Sequence, residues 1–171
     1  MNNAEKKLFL AKLKTETDEQ LLKTLDFFRN NGDNDVLPDV LNLLESGRSQ
    51  TITDNVLSLV SDLKNQSASD VVFDYMCQIN NKVIKKQLIT ALWQSQADFS
   101  HKSDDLIKLI INTDDFDTSF EILTLLENNA NNIQANTAQE MLAAITEAQN
   151  RNHTLTNELN GIYNAYLQRI C

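Results

Sequence analysis

A chain of 171 residues, 42% hydrophobic and 23% charged, suits a single globular domain with its own core. With only 3 Gly and 1 Pro it lacks the turn residues of positive or fixed φ that a β-rich fold requires. A net charge of −9 stands against non-specific nucleic-acid binding and anionic membrane surfaces, both of which draw affinity from Lys and Arg.

Apolar spacing predicts helices in pairs. From about Ala4, Leu8, Phe9 and Leu13 give a short amphipathic helix. Thr17, with Gln20 at capping-box spacing, opens a second helix with Leu21, Leu22, Leu25 and Phe28, and Asn30-Asn31-Gly32 stops it. Phe27 and Phe28 are adjacent and cannot share one stripe, so one of them is expected against a neighbouring pair. The second pair starts at Asp35. Leu37, Val40, Leu41 and Leu44 form its first stripe, with Pro38 in the first turn, where its missing N–H breaks no bond. Gly47 is placed for a left-handed C-terminal cap. Thr51 and Asp54 open the partner helix, with Val56, Leu57, Val60 and Leu63.

The third pair starts at Ser69 with Val72, Phe73, Met76 and Ile79, turns at Asn80-Asn81, and continues through Ile84, Leu88, Ala91 and Leu92 to about Ser95. The fourth starts at Ser103 with Leu106, Ile107, Ile110 and Ile111. Asp114-Asp115 then caps a helix bearing Phe116, Phe120, Leu123 and Leu126. The fifth starts at Thr137, boxed by Glu140, with Met141, Leu142 and Ile145. It breaks at Asn150-Arg151-Asn152 and ends in a helix from Thr154 carrying Leu155, Leu159, Ile162, Tyr166 and Ile170. Tyr163 and Tyr166 are expected to cover the open end of the core or to mark a dimer contact.

Asp35, Ser69, Ser103 and Thr137 lie 34 positions apart, and each is a residue that can start a helix. A fixed period of this size signals stacked units. The pairs are expected at 4–31, 35–64, 69–95, 103–128 and 136–170, within one domain. Asn30, Asn80, Asn128 and Asn150 fall where helices end, and Asn tolerates the left-handed conformation that Gly usually supplies there. The stretches of weakest periodicity, 95–102 and 128–136, fall between pairs.

Two segments resemble HEAT-type α-solenoid repeats. Asp35-Val36-Leu37-Pro38-Asp39-Val40-Leu41-Asn42-Leu43-Leu44 is similar to a first repeat helix, proline included. Asn81-Lys82-Val83-Ile84-Lys85-Lys86-Gln87-Leu88-Ile89-Thr90-Ala91-Leu92 resembles the turn and second helix, with Asn81, Ile84-Lys85, Leu88 and Ala91-Leu92 at the favoured places. The likeness is strongest over 35–127, and one proline and a lysine in place of the usual arginine depart from it. Tetratricopeptide repeats share the period but require small packing residues and a closing proline that are missing here. The resemblance implies an all-α fold, an α-α superhelix of about five antiparallel pairs.

Candidate chemistry is sparse. Gly32-Asp33-Asn34-Asp35 suggests a calcium loop, but counting from Asp33 the sixth and twelfth places hold Pro38 and Leu44, where Gly and Glu are needed. Asn112-Thr113-Asp114-Asp115-Phe116-Asp117 fails likewise, and its carboxylates suit a helix N-terminus. His101 and His153 have no ligand spacing and are read as surface loop residues. Cys77, in an apolar run, is expected as a buried small hydrophobe, and with Cys171 it suggests no disulfide framework, which fits a reducing cytoplasm. No signal-peptide h-region and no membrane-length apolar run is found, and no cofactor is expected. Lys82, Lys85 and Lys86 share one helix face, and Trp93 follows about two turns on. If the resemblance holds, this helix lines the concave side, where the patch would take an acidic peptide or phosphate with Trp93 as anchor. The functional expectation is a non-enzymatic, cytoplasmic scaffold binding another protein or peptide, as a monomer or weak dimer. A HEAT-like DNA glycosylase, which needs a basic groove, and an acidic DNA mimic are the alternatives.

Overall fold

The computed structural model describes residues 1–95, 97–113 and 115–129; among them are eight α-helices and no strand. α1 (Asn3–Thr15) begins at Asn2, whose Oδ1 accepts from the Ala4 and Glu5 backbone while the Glu5 carboxylate accepts from the Asn2 backbone. α2 (Asp18–Asn31) opens on the expected Thr17–Gln20 capping box. A 3₁₀ turn, Asn34–Val36, leads into α3 (Leu37–Leu41), which carries Pro38 in its first turn and runs on into a second 3₁₀ turn, Asn42–Glu45. Then come α4 (Gln50–Ser61), α5 (Gln66–Gln78), α6 (Lys82–Gln94), a 3₁₀ turn at Ser100–Lys102, α7 (Ser103–Asn112) and α8 (Phe116–Asn129). Four helix pairs thus stand close to the predicted bounds. The fifth, 136–170, lies outside the described residues, as do Thr137, Asn150, His153, Tyr163, Tyr166 and Cys171.

The caps differ from expectation. Asp33, not Asp35, caps the entry to the second pair by accepting the Asp35 backbone N–H at 3.0 Å. α5 starts at Asn65, which accepts from Ser67 N at 2.9 Å, and Ser69 is buried inside the first turn. α4 starts after Ser49 rather than at Thr51. Asp35, Ser69 and Ser103 therefore fall near the entry of their pairs without supplying the cap. Asn30 and Asn31 are helical residues of α2 rather than a left-handed stop. The side-chain amides of Asn30, Asn31 and Asn129 donate to Asp26 O, Phe27 O and Leu125 O, one turn back, at 2.9, 3.1 and 2.7 Å. The chain then leaves α2 at Gly32 and α5 at Ile79 in extended conformation. Asn81 starts α6, accepting from Val83 N and Ile84 N. Asn128 lies inside α8. Gly47 takes the predicted left-handed conformation, φ +71°.

The chain divides into two compact units, Met1–Ala97 and Asp98–Cys171. In the first, α1 packs on α2 and α3, α3 on α5, α2 on α4, α4 on α6, and α5 on α6. Odd-numbered helices therefore follow one another in one row and even-numbered helices in a second. Between the rows Leu21, Leu25, Val40, Leu41, Ile52, Val56, Val60, Phe73, Met76, Leu88 and Leu92 are fully buried. Phe9 and Phe28 stack with centroids 5.2 Å apart. In the second unit α7 packs on α8 over Leu106, Ile110, Ile122 and Leu125. There the buried Asn129 Oδ1 accepts from Phe99 N at 2.7 Å.

Some stripe assignments change. Leu8 and Phe120 are exposed, Leu22, Leu57, Leu63 and Cys77 are half-buried, and Ile52, Leu59 and Ile89 join the core in their place. Asp115 caps α8 as expected, accepting from Thr118 N at 2.8 Å.

Polar bonds tie each pair of the first unit to the next. Asn34 Nδ2 donates to Ser67 Oγ, Ser61 Oγ to Gln94 Oε1, Tyr75 Oη to Leu41 O, and Arg29 Nη2 to Ser58 Oγ, across separations of 29 to 34 positions. Arg29 also pairs with Asp62. Arg48, directly after Gly47, makes the densest link. Its Nη1 donates to Glu16 O at 2.9 Å and Asp18 Oδ1 at 3.0 Å, and its Nη2 to Leu13 O at 3.2 Å. Ser49 N donates to the other Asp18 oxygen. One guanidinium thus fills carbonyls at the end of α1 from the turn of the following pair.

Two outcomes follow in urea unfolding. Gly47→Ala should cost about 1 kcal/mol, from backbone strain alone, because a Cβ there meets open space; Gly47→Asn should cost less. Arg48→Ala should cost about 2 kcal/mol, and Arg48→Lys should recover only part of that, since an ammonium cannot reach three acceptors in a fork.

Candidate functional site

α6 places the predicted residues together. Lys82, Lys86 and Trp93 are separated by close to whole turns and form one stripe, with Lys85 beside it. Lys82 is exposed, and Lys85, Lys86 and Trp93 are half-buried. Val83, 67% exposed, adjoins the stripe. Neither Trp93 nor the lysines belong to the buried core.

A second site was not anticipated. α1 and α2 enclose a groove of about 380 Å³, lined by Glu5, Leu8, Phe9 and Lys12 of α1, by Glu16 just after it, and by Gln20, Lys23, Thr24 and Phe27 of α2. Leu8 is 61% and Phe27 50% exposed. Successive residues turn by about 100° around a helix. That sets Lys23 and Phe27 roughly opposite Arg29 on α2, and Leu8 and Lys12 well round α1 from Lys6 and Leu13. Arg29, Lys6 and Leu13 are among the residues of the first pair that bond to the second, with Glu16 and Asp18. All of the groove's lining comes from the first pair. The sequence held a signal for it: two adjacent apolar pairs, Leu8-Phe9 and Phe27-Phe28, each of which must leave one member off the buried stripe.

The acids of the groove are engaged from within. Glu5 Oε2 accepts from Asn2 N at 2.8 Å as part of the α1 cap. Glu16 Oε2 accepts from Thr24 Oγ1 at 2.6 Å, and Lys12 Nζ stands 3.7 Å from its other oxygen. Lys23 is exposed and has no hydrogen bond or ion pair among the described residues. The aspartates of the first turn are engaged too. Lys6 reaches Asp33 at 2.9 Å and also Asp35, which raises the Lys6 pKa and holds Asp33 at about 2. Bonds from Ser49 and Arg48 lower the Asp18 pKa. Gly32-Asp33-Asn34-Asp35 is thus a helix entry neutralised by a lysine of the first pair.

Among the described residues no three His, Cys, Asp or Glu side chains gather as a metal site would require, and no helix is long and apolar enough to cross a membrane. His101 is exposed in its 3₁₀ turn. No protein-family model, curated protein or solved structure matches the chain.

The Asp33 geometry makes stability depend on acid. A carboxylate held at about 2 when folded and near 4 when unfolded lets the unfolded chain bind more protons in between. Its contribution is therefore complete above about pH 4 and is lost as pH falls through 2. Asp33→Asn should flatten the fall in urea midpoint between those values, measured by circular dichroism.

Proposed function

We propose that the chain is a non-enzymatic scaffold that binds another protein or a peptide on the surface of a short helical-repeat array. The observation that carries this reading is the bonding of each pair in the first unit to the next, from Arg48 to Asp18, Asn34 to Ser67 and Ser61 to Gln94. Units joined only to their neighbours grow into an extended stack, and such stacks offer helix faces and inter-helix grooves for binding. On this reading the two helix rows are part of an α-α superhelix of HEAT-like type, acting in the cytoplasm as a monomer or weak dimer. The α6 stripe of Lys82, Lys85, Lys86 and Trp93 is then a contact for an acidic peptide or a phosphate, combining cationic groups with an aromatic anchor.

Affinity capture from cell extract with the intact chain, followed by titration of the captured partner, tests the α6 stripe. Lys82→Glu with Lys86→Glu should weaken that partner by about tenfold or more, the change that 1.4 kcal/mol produces. Unchanged binding with undiminished helicity removes the stripe from the proposal.

A further inference from the structure

Asn31-Gly32 joins the first helix pair to the second. Asn-Gly occurs at 31–32 and at 160–161, and the second lies outside the described residues. Asn31 is the last residue of α2, and both it and Gly32 are exposed. At the ends of α1, α3, α4, α5, α6 and α7 the first N–H beyond the helix bonds back to a carbonyl of that helix. The Gly32 N–H does not, and it has no other hydrogen bond among the described residues. Packing fixes glycine at this position. A Cβ on residue 32 would stand 2.6 Å from Phe28 O and 3.1 Å from the Phe28 ring, which is buried against Phe9. The backbone nitrogen that follows Asn31 is therefore unbonded and has no side chain to shield it. From this we infer that Asn31 is a modification site: it deamidates spontaneously through a cyclic imide to isoaspartate, and this loosens the junction between the first two pairs. The inference is independent of the binding-scaffold reading.

The Gly32 nitrogen attacks Asn31 Cγ and gives up its proton. The Cγ–Nδ2 bond breaks, and the amide nitrogen leaves as ammonia with that proton, so the imide ring closes without oxidation or reduction. Water then adds across one of the two imide C–N bonds. Opening at Cγ gives aspartate. Opening at the main-chain carbonyl gives isoaspartate, whose backbone runs through Cβ and Cγ. Closure requires rotation about the Asn31 Cα–C bond and release of the side-chain amide from Phe27 O, an exposed bond of 3.1 Å. No hydrogen bond on the Gly32 N–H opposes that rotation, and helix ends fray. Either product replaces the amide donor by a carboxylate beside Phe27 O, at the negative end of α2. Isoaspartate also adds a methylene to the backbone just ahead of Asp33. The bonds of Asp33 to Lys6 and to the Asp35 N–H hold the entry of the second pair.

The test incubates the full chain in mildly alkaline buffer at physiological temperature. Peptide mapping by mass spectrometry follows each asparagine, and electron-transfer fragmentation separates isoaspartate from aspartate. Asn31 should deamidate about tenfold or more faster than any other asparagine among the described residues, with isoaspartate the larger product. Its rate in the folded chain should lie within about tenfold of its rate in urea. Asn31→Gln keeps an amide but needs a larger ring, so it should stop the reaction at this position with helicity retained. The isoaspartyl chain, separated by its added charge, should unfold at a lower urea concentration than the fresh chain. It should also unfold below Asn31→Asp, which carries the charge without the methylene. The inference is overturned if Asn31 reacts no faster than the other asparagines, or if it reacts only in urea. It is equally overturned if the isoaspartyl and fresh chains share one urea midpoint, or if aged Asn31→Gln loses as much stability as the aged wild-type chain.

Discussion

The first unit depends on each helix pair having its apolar side covered by the next. Two antiparallel helices cannot bury both of their flanks against each other, so a pair needs neighbours. The pair α3–α4 has them on both sides, and Val40, Leu41, Ile52, Val56 and Val60 are all withdrawn from water. The pair α1–α2 meets α3 and α4 on one side, and on its other side Leu8 and Phe27 stay open. At about 1.5–3 kcal/mol for each fully buried aliphatic or aromatic side chain, this covering supplies most of the stabilisation. Net hydrogen bonds, at about 0.5–1.5 kcal/mol each, are individually smaller.

The polar bonds between pairs have a different role. Leu, Ile and Val surfaces tolerate several relative positions, because dispersion contacts have little directional preference. Arg48 does not: its three acceptors lie on Leu13, Glu16 and Asp18, and they can be reached together in only one register. Lys6 with Asp33, and Arg29 with Asp62, point the same way but stand partly in water, where ion pairs contribute little energy. Burial thus stabilises the stack, and charged bonds to backbone carbonyls fix how one pair sits on the next.

What was legible in the sequence follows from that division. Covered stripes are written in the apolar spacing: Leu37, Val40, Leu41 and Leu44, or Val72, Phe73, Met76 and Ile79, are buried as a period of 3.6 requires. Caps were less legible, because Asp33, Asp35, Asn65 and Ser69 are all capable residues and the local pattern does not choose among them. The end of α2 misled for a different reason: Asn30 and Asn31 are still helical, and the chain leaves in extended conformation at Gly32. Leu8, Phe27 and Phe120 were misassigned or left open because periodicity reports which side of a helix is apolar, not whether anything covers it. Arg48 gave no signal, since its partners lie about thirty positions upstream and on backbone atoms.

The two candidate surfaces differ in the kind of evidence behind them. Lys82, Lys85, Lys86 and Trp93 were grouped by helical spacing alone, and α6 does place them side by side. The α1–α2 groove is set apart by side chains that remain in water: Leu8 and Phe27 are half or more exposed around a concavity. A solvated face of charged residues needs no such feature, and exposed apolar side chains gathered around a concavity are what a binding surface retains at some cost in solubility.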